Sequence, residues 1–216
     1  MKQFPKNTRN KVKRLPKRGH YDKETIYGIL DAGFICHVGF VVKGQPFVIP
    51  TAYGRAGDHI YLHGSSKSRM LNSMGKGIPI CLTVTHLDGL VLARSAFHHS
   101  MNYRSAVVFG TAREVKGEEK EQALFIISEN ILKGRWDEVR SPSAIEMKAT
   151  SVLKLTIEDA SAKIRTGPPG DAEDDYLLPV WAGVVPLTQQ PGPPQPGPLL
   201  REDISLPKSV EELFKT

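Results

Sequence analysis

The run His63-Gly64-Ser65-Ser66-Lys67-Ser68-Arg69 follows an apolar stretch and brings three serines and two cations together within seven residues. A glycine there permits a sharp turn at the end of a strand. Hydroxyls and the free backbone N–H groups of a following helix then converge on one point, which favours a dianionic phosphate. Arg69 can add a bidentate clamp and Lys67 a point charge. The same residues also fit an ordinary Ser-capped helix with solvated charges, and the motif alone leaves both readings open.

A second polar concentration lies in Ala93–Gly110, where His98, His99, Ser100, Asn102, Tyr103, Arg104 and Ser105 sit between two apolar runs. Such segments line sites or form hydrogen-bonded structural loops. A metal is not expected: His98 and His99 are adjacent, so on an extended edge they point opposite ways, and a third ligand is wanting. Cys36 and His37 are adjacent too, which separates them across a strand and removes a nucleophile–base pair. No Gly-x-Ser-x-Gly elbow occurs. Trp181, inside the apolar Leu178–Leu187, can fill the core, cover an interface or stack on a planar ligand. The acids Glu173, Asp174 and Asp175 read as a solvated loop.

These groups need positions, and the pattern around them supplies a train of strands. Tyr21–Ala32 reads as a short helix capped by Asp22, with Ile26, Ile29 and Leu30 on one face. Phe34–Val42, a turn at Lys43-Gly44, Pro46–Tyr53, a turn at Gly54–Asp58 and His59–His63 follow as an antiparallel meander. Ser65–Gly77 has the composition of a helix. Ile78–Leu87 and Leu90–Phe97 form an expected hairpin around Asp88-Gly89, His98–Arg104 a polar insert, and Ser105–Val115 a strand. Gly117–Leu132 is a helix with acids at its start and Ala123, Ile126, Ile127 and Ile131 on one face. Thr150–Arg165 alternates as a long last strand. With no repeat and no alternation of strand and helix, the expectation is a mainly β chain, a six- to seven-stranded antiparallel split β-barrel with a few covering helices.

The 216 residues, 40% of them hydrophobic, suffice for one cored domain at 21–187. Residues 1–20 form a basic arm with eight Lys or Arg and no acid, while 188–216 are a Pro/Gly-rich tail. The net charge of +6 is therefore the arm's. The arm is expected to lie along the protein or a partner subunit, because the rest shows no basic stripe with interleaved aromatics that would suit nucleic acid. No run of eighteen apolar residues suggests a membrane span, and the N-terminus lacks a secretory apolar segment. Cys36 and Cys81 read as buried thiols of a reduced cytoplasm.

In order and combination, RGHYDKETIYGILDAGF, QPFVIPTAYGR, IYLHGSSKSRML, TVTHLDGLVLARSAFHHSMNYRSAVVFGTA and TGPPGDAEDDYLLPVWAGVVPL resemble the FMN-binding split-barrel superfamily of pyridoxamine phosphate oxidase-like proteins. Within it they look most like the flavin-nucleotide-binding branch that includes the nitroimidazole-resistance reductases. The resemblance runs from about Arg14 to Leu187.

It implies FMN held in a groove between two subunits of a homodimer, and an oxidoreductase acting on a small molecule. Pro46, Val48, Ile49, Pro50 and Thr51 would line the flavin ring. Leu62, His63, Ser66, Lys67, Ser68 and Arg69 would hold the ring edge, ribityl chain and phosphate. Ser105 and Tyr103 correspond to polar contacts before the later strand, and Trp181 to a late aromatic reaching the neighbouring subunit's flavin. His63 would deliver a proton to the flavin or position the ribityl chain. One departure separates the chain from the oxidases proper, which place consecutive Arg and Lys on the phosphate. Here Met70 follows Arg69, and Lys67 stands two residues upstream. The alternative is a non-catalytic flavin or haem carrier, since one fold hosts both functions.

Overall fold

The computed structural model describes residues 2–215. In chain order it contains β1 (Gly19–His20), α1 (Lys23–Asp31), β2 (Ile35–Val42), β3 (Gln45–Ala56), β4 (His59–Ser65), α2 (Arg69–Met74), β5 (Lys76–Leu92), β6 (Ser100–Glu114), α3 (Gly117–Ile131), α4 (Ala144–Ala149), β7 (Thr150–Arg165), β8 (Gly183–Pro186) and α5 (Lys208–Glu211). Strands pair in the order β7, β4, β3, β2, β5, β6, and β6 pairs with β7 again, which closes an antiparallel barrel. β1 adds to β7, and β8 adds to β5. Two ladders are short. β2 meets β5 only from His37 to Gly39, and β3 meets β4 only from Tyr53 to Ala56. The barrel is split there.

The tight turns follow from local chemistry. Lys43 and Gly44 both have positive φ, 50° and 80°, the hand that a two-residue hairpin needs to match strand twist. Alternation then fills the barrel with Val38, Phe40, Ile60, Leu62, Leu82, Val84, Ala106, Val108, Leu153 and Leu155. Asp22 caps α1 as expected, its carboxylate accepting from the Thr25 N–H at 2.8 Å. Ile26, Ile29 and Leu30 of that helix are buried in the same core, each contributing about 1.5–3 kcal/mol. The Tyr53 hydroxyl donates to the Leu30 carbonyl and ties α1 to β3. A smaller cluster of Tyr61, Val115, Ala123, Ile127 and Val152 lies between α3 and the outside of the barrel.

Several expected boundaries move. No hairpin forms at Asp88-Gly89: β5 runs unbroken from Lys76 to Leu92. β6 pairs with both sides of the dipeptide, from Val84↔Ala106 to Val91↔Ser100, so the extra residue is bulged out between Leu87 and Gly89. The Asp88 carboxylate is held by Arg104 at 2.9 Å. The true reversal is at Ala93–His99, so Ser100–Arg104, read as a polar insert, is the start of β6. The expected helix at Ser65–Gly77 contracts to α2, because the Ser68 hydroxyl caps at Leu71 N and the preceding serines stay in a turn. Glu173–Leu177 is a 3-10 turn rather than an open loop. Cys36 is buried and faces away from exposed His37, whereas Cys81 is half-buried; both are free.

The arm lies along the barrel. Phe4 is buried in the core, Asn10 donates to the Ala160 carbonyl, and Arg9 pairs with Asp159. The tail ends in α5, where Ser209 N–H donates to Glu138 at 2.9 Å. Among the described residues no helix is long and apolar enough to cross a membrane.

α3 crosses β3 at Gly54, where a Cβ would stand 2.7 Å from the Ile126 carbonyl and 2.8 Å from the Ile127 nitrogen. Both contacts are backbone, so the helix has to move. Gly54→Ala is expected to cost about 1–3 kcal/mol, as overpacking does, read as a lower urea midpoint at unchanged m-value. An unchanged midpoint would mean that α3 is not seated on β3.

Candidate functional site

Antiparallel ladders alternate which neighbour a residue's backbone addresses. Odd residues of β3 address β2, as the Tyr53 N–H to Phe34 carbonyl bond of 3.2 Å shows. Even residues address β4, and Gly54 and Ala56 pair with it. Beyond Tyr53↔Leu62 the two strands part, so the backbone groups of Pro46, Val48, Pro50 and Ala52 on one lip face those of His63 and Ser65 on the other without pairing. Two of these residues are prolines and bring no N–H. The lip therefore presents mainly carbonyls, with Val48 N–H between the prolines.

The serine turn closes one end of this split. Ser66 N–H donates to the Ala149 carbonyl at 2.8 Å, and Ser68 N–H to the Ser65 carbonyl at 2.8 Å. Lys67 N–H bonds the Ser65 hydroxyl at 3.2 Å. The Arg69 guanidinium stacks over Phe47 of β3, 4.5 Å from the ring centroid, which brings the turn against the Pro46–Thr51 strand. Among the described residues neither Lys67 nor Arg69 is paired with a carboxylate. Val48 is 69% exposed, and Pro46 and Pro50 share its outer face; Phe47 and Ile49 turn inward to the core. The Leu62 side chain is fully inside the barrel, so only its backbone is near the split.

His63 points elsewhere. On β4, Ile60 and Leu62 face the barrel interior while Tyr61 packs beneath α3, and His63 is on the Tyr61 face. It lines a cavity of about 540 Å³ with Leu124, Ile127, Trp136, Val139 and Met147. None of Pro46–Thr51 or Ser65–Arg69 lines it. His63 Nδ1 is buried without a hydrogen-bond partner. Burial holds the imidazole below its ordinary value, which favours the neutral ring near pH 7. At the same cavity Arg140 holds Glu146 with two short bonds, 2.6 and 2.7 Å. Trp136 meets Phe125 edge-on at 5.9 Å.

The remaining candidates are not gathered at the split in one chain. Ser105 bonds Thr85 at 3.0 Å on the far side of β2 and β5, and Tyr103 is two residues along the same strand. Trp181 is 66% exposed beside Gly183, on the β8 edge. His98 stands edge-on to Phe97, and His99 Nδ1 accepts from Ala93 N–H at 3.2 Å, so both serve the reversal before β6. Sequence reasoning passed over Trp136, Val139, Arg140 and Met147, the cavity's outer wall. The available signal was a second tryptophan in a Gly/Pro-bounded segment between two helices.

The family model for pyridoxamine 5'-phosphate oxidase matches residues 22–164. No curated protein matches the chain. Among solved structures, the flavocytochrome Anf3 from Azotobacter vinelandii is 42% identical, with 95% of this chain and 96% of that chain covered and a TM-score of 0.88. An FAD and haem binding protein from Mycobacterium smegmatis is 36% identical over 91% of this chain and 97% of that one, at 0.87. A candidate 5-nitroimidazole antibiotic resistance protein from Bacteroides thetaiotaomicron is 26% identical over 66% and 84%, at 0.56. With the closed six-strand path, the two short ladders and a match over most of the chain, this protein belongs to the pyridoxamine 5'-phosphate oxidase-like family of split-barrel proteins.

Proposed function

We propose that the protein is a redox protein that binds a flavin along the β3–β4 split and a haem in the His63 cavity, and acts as an oxidoreductase on a small molecule. The observation that carries this is the separation of the two places. A neutral imidazole with an unpartnered nitrogen lines a cavity walled largely by apolar side chains. The serine turn, whose Lys67 and Arg69 have no carboxylate partner among the described residues, lies outside it. The chain's similarity to a flavocytochrome and to an FAD and haem binding protein supports the same pairing. When bound, the flavin supplies two-electron chemistry and the haem one-electron transfer.

The chain's own residues would do the holding. Val48 N–H and the carbonyls around it would meet the ring edge, while Ser66, Lys67, Ser68 and Arg69 take the phosphate. That first phosphate is common to FMN and FAD. The Mycobacterium smegmatis relative binds FAD, which favours the dinucleotide over the FMN expected above. In this reading His63 would hold the haem iron, in place of delivering a proton to the flavin, and the Leu124, Ile127, Val139 and Met147 side chains beside it would limit the approach of water. Two free cysteines suit a reduced cytoplasm.

A homodimer completes the flavin site. Ser105 and Trp181 lie away from the split within one chain. A second copy would also cover the exposed Ile35, Val41 and Val48 of the β2–β3 face. Light scattering on the purified full chain is expected to give twice the chain mass; a strictly monomeric, flavin-loaded protein would remove this part of the reading.

The absorption spectrum of the reconstituted protein tests the cofactors. Flavin bands and a Soret band should appear together, and both should respond to a reduced nicotinamide nucleotide. Bound cofactors that no such donor reduces would return the carrier reading, and a protein that takes up neither would sink both.

His63→Ala should abolish the Soret band and leave flavin uptake intact; a full Soret band in that variant places the haem elsewhere. Arg69→Ala should weaken flavin binding by about 1.5–3 kcal/mol, the worth of a charge-assisted pair. Fluorescence quenching titration measures it, and an unchanged affinity means the phosphate is not at this turn.

A further inference from the structure

Arg165, at the end of β7, is only 8% exposed, yet its guanidinium donates to neutral acceptors alone: Asn102 Oδ1 and the carbonyls of Gly167 and Pro168. Among the described residues no carboxylate pairs with it, nor with Arg18 or Lys163 nearby. The charge that faces it is another cation, Arg18, and burial together with that repulsion lowers its affinity for its proton. A buried charge without a counter-charge is costly, and most proteins pair it. Pinning the turn at Gly167 does not account for it. Asn102 Nδ2 already donates to the Gly167 carbonyl at 3.1 Å, so a neutral side chain would serve there.

The neighbours share one character. Cross-strand partners in an antiparallel ladder show their side chains on the same face. Lys163 is opposite Ser105 on β6 and Gly19 on β1, next to Arg18, while Arg165 is opposite Tyr103. Thr85 on β5 extends the hydroxyl row through its bond to Ser105. Lys163 and Arg165 therefore share one face of the sheet with these hydroxyls, Arg18 acts on Arg165, and none of the three cations is in an ion pair among the described residues. Guanidinium forks with hydroxyl donors match phosphate oxygens.

We propose that Arg18, Lys163 and Arg165, with the hydroxyls of Tyr103 and Ser105, form a second phosphate-binding site, for a phosphate group of a nucleotide. It is distinct from the Arg69 turn. β7 pairs Thr150 with Ser65 at one end and Lys163 with Gly19 at the other, roughly 40 Å apart at ~3.3 Å per residue. The phosphate comes either from a dinucleotide flavin seated in the split of a second copy or from a nicotinamide nucleotide. The assignment to a nucleotide rests on the flavin reading above; the anion site itself does not.

Titration calorimetry on the full chain decides it, comparing wild type with Arg18→Ala, Lys163→Ala and their combination, all at half-buried positions where folding should survive. Arg165→Gln is added, with its melting temperature as a control. If the source is the flavin, the double variant binds FAD about ten-fold or more weakly while FMN affinity stays within about three-fold. If the source is the nicotinamide nucleotide, NADPH weakens by a similar factor and FAD does not. A double variant that binds FAD, FMN and NADPH as the wild type does overturns the site. Should the wild type bind no flavin, the flavin reading fails and inorganic pyrophosphate judges the site alone. A rise in melting temperature seen in wild type and lost in the double variant upholds it, and the absence of any rise overturns it.

Discussion

β7 is hydrogen-bonded along both edges, to β4 over Thr150–Thr156 and to β6 over Leu153–Arg165. That double ladder closes the barrel, and it also opens it. β4 is committed to β7 through seven pairs, and β3 to β2 through eight. After the four pairs between Tyr53 and Ala56, the two strands must follow different partners. The groups at the split are those the two ladders leave over: odd residues of β3 bond β2, even residues of β4 bond β7, and the strands diverge between them. An unpaired edge persists because both ladders beside it are satisfied. α3 completes the arrangement: Asn130 donates to the carbonyls of Gly33 and Tyr53 at 3.0 and 2.9 Å, fixing the helix whose Leu124 and Ile127 wall the His63 cavity.

Strand β4 is the partition between the two proposed cofactor places. Its even side chains fill the barrel, its odd side chains face α3, and its odd backbone groups face the split. His63 therefore offers its imidazole to one compartment and its amide to the other. A sequence motif reports that the residue is near a site, and it does not report which of these directions a side chain takes. The assignment of His63 to the flavin follows the motif; its assignment to the cavity follows the alternation set by Ile60 and Leu62 in the core.

Local rules were legible where one interaction decides the outcome. Asp22 capping α1, the Lys43-Gly44 turn, the apolar face of α1 and the whole of β7 were all readable, because cap chemistry, positive φ and period-two burial each act within a few residues. Asp88-Gly89 misled for the opposite reason. As a dipeptide it favours a turn, but β6 supplies a continuous partner across it, and the ladder outweighs the local preference by absorbing one residue as a bulge. The cavity was illegible because its walls come from β4, α3, the Trp136 turn and α4, and no spacing in the chain joins His63 to Met147. The uncompensated charge of Arg165 was hidden likewise: in sequence it is one of 29 basic residues, and only the fold strips it of water.

An unpaired strand edge is ordinarily a liability, since it can recruit another chain's strand. Here Pro46 and Pro50 occupy two of the four positions whose N–H would point outward. A foreign strand would find alternate donors missing and could not build a ladder. A planar ligand needs no ladder. It needs one or two donors between acceptors, and Val48 N–H between the proline carbonyls offers that. The same two prolines thus work against strand addition, and in the proposed reading they leave the edge to a flavin ring.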